Sequence, residues 1–217
     1  MSVAQEALDR LIAGNRRFVS GLQKEEHLTS PSRRSELTED QNPFAIVLGC
    51  SDSRVPAEIV FDQGLGNLFV IRVAGNVVAP SQIGSVEFAA ELYDTTLVVV
   101  MGHSRCGAIM ATIDELKNNQ EHPSRNLRSI VGRVRPAVEP LMETELANDH
   151  DALMQEAVRA NVRASVEHLR HGSDILEELI QQDRLLIVGA EYSLESGVVD
   201  FFDGVEQSPP PVDPRQA

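Results

Sequence analysis

The sequence predicts an α/β fold: a parallel central sheet of four strands with an antiparallel edge strand, helices on both faces, and an N-terminal helical arm. Three observations lead there. Four short runs rich in Val, Ile and Leu, at 44–48, 68–73, 96–101 and 185–190, are bounded by turn or polar residues, as buried strands are. Segments of helical spacing separate them, and strands joined through helices need right-handed crossovers and a covered parallel sheet. Finally, two of the runs lead into a glycine and then into residues able to ligate a metal. These are Gly49-Cys50-Ser51-Asp52-Ser53-Arg54 and Gly102-His103-Ser104-Arg105-Cys106-Gly107. In an open parallel sheet functional groups collect outside the carboxyl ends of the strands.

Taken in order, Val3 to about Ser20 spaces Val3, Leu8, Leu11, Ile12 and Phe18 as the apolar stripe of an amphipathic helix. A domain already covered by crossover helices has little use for that stripe, so it is expected to pack on a second subunit. The polar segment from Gly21 to Asn42, with Pro31, predicts a short helix between loops. Residues 81–93 read as a helix entered at Pro80 and Ser81, with Ile83, Val86, Phe88 and Ala90 toward the core. Helices follow over 108–116, 127–142, 151–169 and 173–180, the second of them kinked or split at Pro136. Gly64-Leu65-Gly66 lacks the spacing of a phosphate loop and reads as a turn. Tyr192 to Phe201 reads as a tight turn into the antiparallel edge strand. No linker divides the chain, which predicts one domain over residues 1–206, with the arm at 1–40. The proline-rich stretch 207–217 is expected to be an extended tail.

Composition narrows the function. With 217 residues and 42% hydrophobic content the chain can build one sizeable core. No stretch approaches the roughly 20 apolar residues of a membrane span. A net charge of −14 disfavours nucleic acid and anionic membrane surfaces. The first residues lack the basic-then-apolar pattern of a signal peptide, so a cytoplasmic protein with reduced thiols is expected.

The two cysteines carry the chemistry. An isolated cysteine is most often a small buried hydrophobe. Here both lie beside glycine turns after strands, and one belongs to a His-x-x-Cys loop that can aim two ligands at one ion. If the two strands are neighbours, Cys50, Asp52, His103 and Cys106 share one crevice. Two thiolates and an imidazole suit zinc, leaving a fourth position for water or a carboxylate. Asp52 and Arg54 would be a minor ion pair on an open surface. Beside a metal, the guanidinium can draw the carboxylate off the ion and keep it ionised. A thiol redox pair is the competing reading, although no Cys-x-x-Cys is present. A purely structural zinc site is another, and it would have no need of a displaceable carboxylate. His27, His122, His150, His168 and His171 stand in polar surroundings and read as surface residues.

Cys-Ser-Asp-Ser-Arg at 50–54 with Gly-His-Ser-Arg-Cys-Gly at 102–107 resembles the β-class carbonic anhydrases, and Phe-Val-Ile-Arg-Val-Ala-Gly-Asn at 69–76 is similar to that family's segment along the active site. The resemblance runs from the N-terminal helix to Phe202. It implies a lyase that hydrates carbon dioxide reversibly to bicarbonate and a proton, through attack by zinc-bound hydroxide. Cys50, His103 and Cys106 are then the zinc ligands. Asp52 and Arg54 are the catalytic pair, with Asp52 able to take the fourth position on zinc in an inactive state. Gln41 matches a substrate-binding glutamine contributed by the neighbouring subunit, and Phe69 and Phe88 match walls of the carbon dioxide pocket. The resemblance also implies a homodimer whose N-terminal helices wrap the partner, with pairing of dimers into a homotetramer. Some relatives instead hydrolyse carbonyl sulfide or carbon disulfide on the same fold. In the bicarbonate-regulated branch a tryptophan stands where this chain has Val47, although Arg72 and Tyr192 match that branch's anion site.

Overall fold

The computed structural model describes residues 2–23, 30–119 and 123–205. His27, His122 and the tail 207–217 lie outside the described residues. Helix α1 (Val3–Val19) and the short α2 (Pro31–Glu36) precede strand β1 (Ala45–Gly49), α3 (Ala57–Val60), β2 (Leu68–Arg72) and α4 (Pro80–Leu92). Then come β3 (Leu97–His103), α5 (Gly107–Asn118), α6 (Arg125–Val138), α7 (His150–His171), α8 (Asp174–Gln181), β4 (Leu186–Tyr192) and β5 (Val199–Asp203). Among the described residues, no helix is long and apolar enough to cross a membrane.

The five strands form one sheet in the order β2-β1-β3-β4-β5. The first four run parallel and β5 pairs antiparallel with β4 at the edge, as expected. β1 and β3 are buried along their whole length, which is why they read as continuous apolar runs rather than as alternation. Helix α6 runs through Pro136 for two further residues before tightening into a 3-10 turn, Glu139–Glu143. Near the last turn, the missing N–H removes a bond that fraying would weaken in any case.

Residues at odd and even positions face opposite sides of the sheet. Ile46, Leu48, Val98, Val100 and Ile187 pack with Val86 and Ala89 of α4, Val162 and Val166 of α7, and Leu176 of α8. Val47, Val99, Met101, Val188 and Ala190 face the other way. On that side only the short α3 arrives as a crossover helix, contributing Ala57 and Val60. The remaining cover is α1, which inserts Ala7, Leu8 and Leu11 into this layer. This corrects the expectation that its apolar stripe packs on a second subunit: one face of the sheet would otherwise lie bare.

Two polar devices fix α1 in place. Buried Asn15 donates to the Val60 and Gly197 carbonyls at 3.1 and 2.9 Å and accepts from the Val199 N–H at 2.9 Å. Gly14 sits so close to the Phe61 carbonyl that an added Cβ would lie 1.8 Å from its oxygen. Helix α4 brings a second correction. Val86, Ala89 and Ala90 are buried, but Phe88 is 51% exposed. Two residues along a helix is a rotation of about 200° from Val86, which turns Phe88 away from the core.

Candidate metal centre

The chain leaves β1 toward β2 on one side and later returns to form β3 on the other. The carboxyl ends of β1 and β3 are therefore the switch point of the sheet, where a crevice opens. Gly49 pairs with Met101, so Cys50 and His103 leave the sheet on neighbouring strands. Arg105, in the left-handed region at φ 55°, turns the loop so that Cys106 stands at the start of α5. Cys50, His103 and Cys106 are all buried, and their ligand atoms lie within 4.8 Å of one another. Zinc bond lengths of about 2.0–2.3 Å can bridge such a set.

The donor chemistry fits a metal ion. His103 Nδ1 lies 2.9 Å from the Ser104 carbonyl oxygen. A carbonyl can only accept, so Nδ1 carries the ring proton and Nε2 presents its lone pair. That Nε2 is fully buried and has no hydrogen-bond partner among the described residues, an arrangement costly without a cation. Both cysteines are free thiols. The Cys106 thiol beside it holds Cys50 down to about 4, while the Cys50 sulfur and burial push Cys106 up. The two sulfurs thus share a proton that a divalent ion would replace.

Asp52 stands beside this cluster without joining it, its Oδ2 being 4.0 Å from His103 Nε2. Arg54 holds it in a fork: Nε donates to Oδ1 at 2.9 Å, a terminal nitrogen to Oδ2 at 2.7 Å, and the Arg54 backbone N–H to Oδ1 at 3.0 Å. These bonds keep the Asp52 carboxyl well below the usual carboxylate range.

Several residues support the site in ways the sequence does not mark. Arg72, at the end of β2, donates to the carbonyls of Cys50 and Asp52 at 3.0 and 2.6 Å and so shapes the loop that carries both. Ser104 donates to Glu195 at 2.8 Å, and Arg105 pairs with the same carboxylate at 2.7 Å, tying the His-x-x-Cys loop to the turn before β5. His150, His168 and His171 are exposed, as expected.

Gln41, Phe69 and Phe88 lie elsewhere. Phe69 pairs with Ile46, which puts Cys50 about 13 Å further along the sheet. Its ring packs 6.3 Å from Phe88 and 6.2 Å from Tyr93, whose hydroxyl accepts from Gln41 Nε2 at 2.8 Å. The group occupies the outer edge of the sheet, near the amino ends of its strands. Within one chain, it does not meet the Cys50 crevice.

Comparison with known proteins agrees with this geometry. The family model described as carbonic anhydrase matches residues 45–199. The chain is 39% identical to a carbonic anhydrase of Mycolicibacterium smegmatis, covering 87% of this chain and 88% of that one. It is 38% identical to carbonic anhydrase 2 of Mycobacterium tuberculosis over 85% and 86% of the two chains. Among solved structures, the β-carbonic anhydrase CafA of Aspergillus fumigatus superposes with a TM-score of 0.71 at 24% identity, over 92% of each chain. One of the tetrameric β-carbonic anhydrases of Sordaria macrospora gives 0.70 at 20% identity, over 90% of this chain and 96% of that one. The motif at the strand ends, the order of the sheet and these likenesses converge: the chain belongs to the β-class carbonic anhydrases, a family of lyases.

Proposed function

We propose that this enzyme hydrates carbon dioxide reversibly to bicarbonate and a proton, using zinc held by Cys50, His103 and Cys106. The observation that carries the reading is the buried, partnerless Nε2 of His103, grouped with two cysteines beside an aspartate gripped by arginine. Zinc in such a site supplies Lewis acidity that makes a water nucleophilic near neutral pH. Asp52, kept ionised by Arg54, accepts the hydrogen bond of that nucleophile and turns its lone pair toward the substrate carbon. Arg54 meanwhile keeps the carboxylate off the metal. Stopped-flow hydration of carbon dioxide, run beside a zinc measurement, tests the reading. Activity with about one zinc per chain is expected. Protein with zinc but no hydration activity would overturn the substrate, and active protein without metal would overturn the site.

A second copy of the chain supplies Gln41, Phe69 and Phe88. Phe88 and Leu92 are 51% and 60% exposed beside a glutamine with no role in its own crevice. The tetrameric assembly named for the Sordaria enzymes supports association of this kind. Phe88→Asp is expected to yield monomers by light scattering, with zinc retained and activity lowered at least about 10-fold. The expectation rests on the cost of burying a charge in an apolar contact. An active, unchanged oligomer would remove this edge from the interface.

A further inference from the structure

The turn after β2 borders the crevice with two consecutive residues in the left-handed region. Gly75 and Asn76 are both left-handed, at φ 69° and 44°. A Cβ on Gly75 would lie 2.9 Å from that of Ala108 at the start of α5. The close approach lets the Gly75 N–H donate to Cys50 Sγ at 3.3 Å. Consecutive left-handed residues persist only where surrounding structure over-determines them. Helix α7 provides that constraint. Buried Asn161 donates from Nδ2 to the Gly75 carbonyl at 2.8 Å, and buried Ser165, one turn on, donates from Oγ to the Asn76 carbonyl at 3.0 Å. Both side chains spend their donors on this turn, in a helix whose other buried residues are mostly apolar.

We infer that Asn161 and Ser165 are positioning residues for the metal, acting by fixing the 74–76 turn so that the Gly75 N–H stays directed at the Cys50 sulfur. A hydrogen bond to a thiolate withdraws charge from it, and outer partners of this kind tune the ion their ligand holds. The same bond orients Cys50 before metal arrives. The hydrogen bonds of both side chains go to the turn and not to a ligand, so the proposed effect is routed through the turn. The inference rests on Cys50 being a ligand, as proposed above.

The test uses the full-length protein loaded with cobalt(II), whose thiolate-to-metal charge-transfer absorption reports charge on the sulfurs. In Asn161→Leu, the band is expected to move to longer wavelength, because a thiolate that has lost its donor gives up an electron more easily. Metal affinity should fall about 10-fold, the lower end for an outer-shell loss. Ser165→Ala, which frees only the second anchor, should shift the band less and in the same direction; it also serves if Asn161→Leu does not fold. Val166→Ala on the same helix faces the β-sheet core and should lower stability without moving the band. A band at the parent position in both Asn161→Leu and Ser165→Ala, or in Ser165→Ala alone if the leucine variant does not fold, would overturn the inference, as would an equal shift in Val166→Ala. A parent protein with no charge-transfer band at all would instead overturn the thiolate site itself.

Discussion

Cys106→Ser is expected to lose most of its zinc and nearly all of its hydration activity while keeping its fold. Cys106 is 1% exposed and is one of the three donors that group in the crevice among the described residues. A serine hydroxyl stays protonated near neutral pH, so the substitution removes a charge as well as a soft ligand. Residues that only support a ligand cost 10–100-fold in metal affinity when removed. Loss of the ligand itself should exceed about 100-fold. Zinc content after dialysis, measured with the far-UV circular dichroism spectrum, checks this. A folded variant retaining stoichiometric zinc would exclude Cys106 from the site.

Arg54→Ala should have the second-largest effect and a different signature: zinc retained, activity down by about 10- to 100-fold, in line with removal of an outer partner. Without the fork, Asp52 loses the two side-chain hydrogen bonds, one on each oxygen, and keeps only the one from the backbone N–H of residue 54. The released carboxylate lies only 4.0 Å from the donor atom of His103 and is free to compete for the fourth position. Arg54→Lys should recover little, since a point charge cannot serve both oxygens as a planar fork does. Parent-level hydration by the alanine variant would show that the pair has no part in turnover.

Much of this architecture was legible because its strands are buried on both faces and interrupted by glycines. The runs at 44–48 and 96–101 need no alternation to be recognised, and the donors follow them directly. What escaped was whatever depends on contacts between distant segments. The apolar stripe of α1 is visible in the sequence, but not that its face of the sheet receives only one short crossover helix, so sequence alone points the stripe at a partner. Phe88 belongs to a helix whose apolar residues are spread around its axis, so its sequence does not mark which of them face the sheet, and two residues of rotation from Val86 put Phe88 at the surface. Arg72, Asn161, Ser165 and Glu195 act on loops far away in sequence. An arginine ending a strand, or an asparagine in a helix, carries no mark of such a duty.

The ligands leave two different strands, and those strands become neighbours only after the chain has run out to β2 and back. No short segment of the unfolded polypeptide can therefore reproduce the site. Zinc held as proposed would bind the native state far better than the unfolded chain, and its concentration would become a thermodynamic handle on folding. At 100 times its dissociation constant, a ligand of this kind adds about 2.7 kcal/mol to the free energy of unfolding. Metal supply would thereby govern how long the protein persists as well as how fast it turns over. Chelation would act as a mild denaturant felt first where β1 and β3 end.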